Sequence, residues 1–190
     1  MRRTILMAAA SAASLAFIAT TAIGYAPTAE AQTGATSTMG QSQAVVTTGD
    51  FVKKAAISDI FEIQAAQLAQ SQSKSADIKA FAARMIRDHS KSTAKLKSIL
   101  SSTNQTALAP SALDSEHMTM LSELKTGRDF DETYVHQQVM AHEDAVALFK
   151  SYSASGEDPQ IKKFAAQTLP TIEDHLSMIQ KISAGLAGVK

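Results

Sequence analysis

Two stretches place an acid directly before a histidine inside otherwise helical sequence: Asp88-His89 in "IRDHS" and Asp174-His175 in "IEDHL". A third histidine, His142, and a lone carboxylate, Glu62, complete the residues able to do chemistry together. Imidazoles and a carboxylate brought to one point suit a first-row transition metal such as zinc, iron, manganese or copper, whereas Ca²⁺ and Mg²⁺ prefer all-oxygen sites. Other chemistries lack their residues. There is no Cys, which removes thiolate nucleophiles, thiolate metal sites and disulfides. There is no P-loop, Gly-rich dinucleotide turn or Ser-centred elbow.

Whether the four residues can meet depends on the elements that carry them. From Asp50 onwards apolar residues recur at helical spacing and turn residues interrupt them. The spacing predicts helices from an Asp50 cap to about Gln72, from Asp77 to about Ser102, from an Asp129 cap to near Gly156, and from Asp158-Pro159 to about Gly185. Asp129 with Glu132 reads as a capping box. A shorter helix capped by Ser111 and closed by Gly127 lies between the second and third long ones. No segment alternates as a half-buried strand does. The expected fold is therefore all-α, an antiparallel four-helix bundle with one short extra helix.

On these helices the candidate residues point inward. Ile78, Phe81, Met85 and His89 form one stripe, Val135, Val139, His142, Val146 and Phe149 a second, and Ile161, Phe164, Thr168, Ile172, His175 and Ile179 a third. Glu62 shares a face with Phe51, Ala55, Ser58, Ala65 and Ala69, whose small side chains leave it room. Glu62, His89 and His142 lie eleven to thirteen residues into their helices and His175 about seventeen. At a rise of about 1.5 Å per residue, antiparallel packing brings all four near mid-height. Glu62, His89, His142 and His175 are thus the candidate metal ligands. Asp88, Asp174 and Glu143 are turned about 100° from their neighbouring histidines and read as rim charges or outer partners. A plainer account of the same residues stands beside this one and is the default: each histidine bonded to a nearby acid, and Glu62 in a core ion pair. His117 and His136 fall off the stripes and read as surface groups, and Met118, Met120, Met140 and Met178 read as core filling. Pro170 is expected to bend the last helix.

The flanks speak to location. Arg2 and Arg3, an uncharged run from Ile5 to Ile23, and Ala29-Glu30-Ala31 have the form of a secretory signal peptide over residues 1–31, with a retained membrane anchor as the rival. Its removal takes away Arg2, Arg3 and Glu30 and turns a balance of 18 basic and 18 acidic residues into a net charge of −1. That charge argues against nucleic acid or an anionic membrane as partner, and no membrane span is expected after cleavage. Residues 32–49 read as a flexible leader, 50–184 as the helical domain and 185–190 as a tail.

"IKAFAARMIRDH" and "IKKFAAQTLPTIEDH" share an opening and an Asp-His close, the mark of a duplicated helical hairpin. Together with Phe51-Val52-Lys53-Lys54-Ala55-Ala56, Glu62 and "DFDETYVHQQVMAHEDAVALF", they resemble the exported bacterial family filed as domain of unknown function number 4142, similar in architecture to ferritin-like bundles. The resemblance covers about residues 50–184. It implies a ferritin-like four-helix fold and a periplasmic or outer-envelope location, and no established activity. Against the ferritin-like di-iron pattern, Glu62, His89 and His175 match, but Ile86 and Ile172 stand where partner carboxylates belong. A mononuclear site fits better, and iron storage is not carried over. The leading expectation is a non-enzymatic, exported binding or stress-related bundle. Its rivals are a redox enzyme acting on oxygen or peroxide, with these ligands and Asp88 or Asp174 behind them, and a metal-free module that binds a protein partner of unknown kind.

Overall fold

The computed structural model describes residues 46–188; the expected signal peptide and most of the leader lie outside them. The described chain is all-α: α1 (Thr48–Gln72), α2 (Ala76–Ser102), a single 3-10 turn (Thr106–Leu108), α3 (Ser115–Thr126), α4 (Phe130–Ser155) and α5 (Pro159–Ala187). None of these helices is long and apolar enough to cross a membrane.

The helix ends follow local chemistry, and several depart from expectation. Thr47, not Asp50, caps α1: its hydroxyl accepts from the Asp50 amide and donates to the Asp50 carboxylate, leaving Asp50 in the first turn, where the helix dipole favours an anion. Asp114, not Ser111, caps α3 through the His117 amide, so the helix starts three residues later than the Ser111 cap predicted. Asp129 holds the N-cap of α4, but its side chain makes no capping bond, so it does not supply its half of the expected box. Asp158 behaves as expected, accepting from the Gln160 and Ile161 amides with Pro159 behind it. α5 runs continuously through Pro170 and ends at Ala187, beyond Gly185. Gly127 and Gly156 close α3 and α4. A Cβ at either would fall within 2.7 Å of the carbonyl oxygen four residues back, Glu123 or Tyr152, which leaves room only for glycine.

α1 packs along α2 and α4 along α5 as two close hairpins; α1 with α4 and α2 with α5 make lighter seams, and α3 leans on α1 and α4. The hairpins run antiparallel, with the start of α1 tied to the end of α4 by Thr48 Oγ1 and the Tyr152 hydroxyl at 2.6 Å. Two apolar clusters result. One is aromatic, with Phe51 stacked on Tyr152 at 4.2 Å and edge-on to Phe149 at 4.9 Å, closed by Leu96, Leu100, Ile161 and Phe164. The other gathers Ala65, Ala66, Ala69, Ile78, Phe81, Met85, Leu124, Tyr134 and Ile179. The two sequence repeats fall at opposite ends, Phe81 in one cluster and Phe164 in the other, as antiparallel packing requires. Of the methionines read as core filling, Met118 and Met140 are instead about half exposed, at 55% and 49%.

Candidate metal centre

Buried polar residues lie between the two apolar clusters. His89 on α2, His142 on α4 and His175 on α5 are 7%, 1% and 1% exposed. Each is one step in an inward stripe, so the packing that buries Met85, Phe149 or Ile179 carries the histidine in with it. One ring nitrogen of each lies within 4.8 Å of the others, and the ring centroids are 5.6 to 6.0 Å apart.

Each ring is held from outside by an acceptor. His89 Nδ1 donates to Asp59 Oδ1 at 2.7 Å, His142 Nδ1 to the Gln138 carbonyl at 2.8 Å, and His175 Nε2 to Asp88 Oδ2 at 3.0 Å. A carbonyl or carboxylate can only accept, so those nitrogens carry hydrogen. The opposite nitrogens, His89 Nε2, His142 Nε2 and His175 Nδ1, are buried and have no hydrogen-bond partner. This is the arrangement in which outer partners fix a metal-binding imidazole and leave its other nitrogen to the ion.

The outer partners are themselves held. Thr93, one turn after His89, donates to Asp59 Oδ2 at 2.9 Å. Asp88 reaches across to His175 rather than to its sequence neighbour His89, and is gripped by Arg84 at 3.3 Å and Arg87 at 3.1 Å. Asp174 faces outward and pairs with Arg84 at 2.5 Å; Glu143 is exposed. Glu62 is fully buried, with Oε1 3.9 Å from His142 Nδ1. It stands beside the three histidines rather than within their close group. Its oxygens make no hydrogen bond of ordinary geometry, although the Gln138 amide is near enough to act on its ionisation.

Charge divides unevenly among these groups. Burial pushes the Glu62 carboxyl up to about 7, against the opposing pull of His89 and Gln138. Burial pushes His142 down to about 3, helped by the charge of His89. His175 falls to about 4 for the same first reason, the Asp88 bond opposing it and His89 adding to it. At His89 burial is outweighed by the hydrogen bond and charge of Asp59, and its pKa is raised. Burial also acts on Asp88, but bonds from His175, Arg84 and Arg87 outweigh it and hold the carboxyl below its usual range.

Asp59 stands outside the inward stripes read from the sequence, yet it is the acid that braces His89. It lies three residues before Glu62, so the face that turns Glu62 inward turns Asp59 inward as well. Gln138, one turn before His142 and fully buried, carried the same signal.

Residues 33–182 match the family described as Domain of unknown function (DUF4142). The matched span starts inside the stretch read as a leader. No curated protein matches the sequence. Among solved structures, CopM in the Cu(II)-bound form superposes with a TM-score of 0.61 at 16% identity, over 73% of this chain and 96% of that one. CopM in the Cu(I)-bound form gives 0.63 at 18%, over 74% and 97%. At such identity the likeness is one of fold.

Proposed function

The chain belongs to the DUF4142 family, and we propose that it is an exported helical protein that binds a single transition-metal ion, copper first among them, as a carrier or buffer rather than as a catalyst. One observation carries this reading: three buried imidazoles, each braced from behind, with three unpartnered nitrogens on neighbouring rings. A buried polar atom left without a partner costs about 1–3 kcal/mol, and a shared cation removes three such costs at once. His89, His142 and His175 are the proposed ligands. Glu62 is the buried anion that joins them, as a fourth ligand or by balancing the ion's charge beside His142. Neutral nitrogen donors suit copper and zinc, and the similarity to CopM, a protein solved with Cu(I) and with Cu(II), supports copper. The sequence at residues 1–31 supports export to the periplasm or beyond.

A redox enzyme acting on oxygen or peroxide is the second reading. Its support is that three protein ligands leave a coordination position open. The deciding experiment measures metal content in mature protein purified without a metal-binding tag, beside a His89→Ala, His175→Ala double variant. About one copper per chain, absent from a variant that still gives a helical circular dichroism spectrum, is the expected result. Metal-free protein whose melting temperature ignores added Cu²⁺ and Zn²⁺ would sink the reading, and sustained peroxide consumption by the loaded protein would move it to the enzyme.

A further inference from the structure

With its three ligands at most 7% exposed, a buried centre needs a way in. A cavity of about 20 Å³ touches His89 and His175, large enough for one water or one bare ion. Outside it, a groove of about 660 Å³ runs along α1 and α4 beneath α3. Ser58, Ala145 and Phe149 border both spaces. Ser58 on α1 and Ala145 on α4 are small, and they stand on the lighter seam between the hairpins. We propose that the metal ion passes from this groove through the wall formed by Ser58 and Ala145 into the cavity and on to the three histidines. The proposal rests on the metal-binding reading.

The chemistry of the two sides of the bundle favours this route. The groove carries Asp50, Asp114, Glu116 and Asp144 against Lys53 and Lys54, an acidic balance that gathers cations. Met120 and Met140 add thioethers, which bind soft ions such as Cu(I). The opposite approach, at Asp88 between α2 and α5, is latched. There the carboxylate is bound at once to Arg84, Arg87 and His175, and Asp174 pairs with Arg84 as well, so this side is closed by ion pairs and carries no acidic excess to gather a cation. Beyond the wall, the cavity is lined by the hydroxyl-bearing Ser92, Thr168 and Thr171 and by Asp59, polar groups that a desolvated cation would meet before the histidines.

The test follows uptake of Cu(I) by the mature protein under oxygen-free conditions and its removal by a coloured chelator, both by stopped flow. Ala145→Leu fills the wall. Loading and removal are expected to slow together by about tenfold or more, with the stoichiometry and the affinity unchanged, because a blocked route raises one barrier seen from both sides. Ala145→Gly opens the wall and is expected to speed both, which keeps a test in hand if the leucine variant fails to fold. Lys97→Gln, exposed on α2 and bordering neither space, is expected to change neither rate. Rates within twofold of wild type in the folded wall variants, or an equal change at Lys97→Gln, overturn the port while leaving the metal site standing. Wild-type protein that takes up no Cu(I) overturns the reading beneath it.

Discussion

The two hairpins, although repeats of one sequence pattern, bring opposite things to the centre. The first, α1 with α2, supplies the carboxylates that touch the three central histidines, Asp59, Glu62 and Asp88, together with His89, whose pKa is raised. The second, α4 with α5, supplies His142 and His175, held neutral with pKa values of about 3 and about 4. The difference follows from what backs each ring. His142 leans on a backbone carbonyl, too weak an acceptor to offset its burial. His175 has a carboxylate behind it, but one shared with two arginines and facing the positive charge of His89. Only His89 has an acid largely to itself. The two hairpins thus form a charged half and a neutral-donor half, and a metal ion bound there would have to displace a proton from the first while finding lone pairs ready in the second.

The largest expected effect comes from removing the neutral half. His142→Ala with His175→Ala leaves His89 and Glu62 as the remaining pair, and stoichiometric copper binding is expected to vanish from isothermal titration. Retention of one copper per chain would show that the first hairpin holds the ion alone. Next in size is the comparison of Phe81→Ala with Phe164→Ala, equivalent positions in the two repeats. Both rings are buried, and each deletion is expected to cost about 3–5 kcal/mol in urea unfolding. Only Phe81 packs edge-on against the site, 6.1 Å from the His142 ring and 6.4 Å from His175. Metal affinity should therefore fall in the Phe81 variant and hold in the other, and equal affinities would mean that the repeats are equivalent after all.

The same asymmetry explains what could be seen in the sequence. Helix number, order and the inward stripes were legible because they rest on periodicity, which packing reinforces. The meeting of His89, His142 and His175 followed from stripe and height alone. Asp59 turns inward by its spacing to Glu62, but its role is hidden in the sequence because its partner His89 is set by the position of α2. That Asp88 serves His175 and not His89 was equally hidden: adjacency in sequence turns the two side chains apart, and only the α2 to α5 packing supplies the partner. Helix starts at Thr47 and Asp114 turned on which of several nearby oxygens reaches an amide, a competition decided by backbone geometry.

A smaller effect is expected at the outer partners. Asp59→Asn and Asp88→Asn keep size and lose the charge, and each is expected to weaken copper binding about 10- to 100-fold at pH 8, where protons compete least. The two should then diverge. In Asp59→Asn the His89 ring should titrate lower by NMR, since its raised pKa comes from that carboxylate, whereas Asp88→Asn should leave His89 nearly as it was. Equal behaviour of His89 in both variants would remove the distinction between the charged and neutral halves.

The smallest expected effect concerns protons alone, in metal-free protein. His142 and His175 have folded pKa values below the ordinary 6.5, so the stability they contribute is present above that pH and is lost as pH falls towards 4 and 3. Glu62, raised from 4.5 to about 7, has the opposite sign: its contribution is complete below 4.5 and is lost as pH rises through 7. Between pH 6.5 and about 5 the Glu62 gain offsets only about half of the loss at the two histidines, so wild-type stability should fall moderately. Glu62→Gln removes the opposing trend and leaves the histidine losses exposed. Its urea-unfolding free energy is expected to fall by about 1–2 kcal/mol more than wild type across that interval. Parallel pH profiles would mean that Glu62 is ionised in the metal-free fold. The first hairpin would then hold a buried negative charge before any metal arrives, and its carboxylate would draw a cation in rather than wait to release a proton to it.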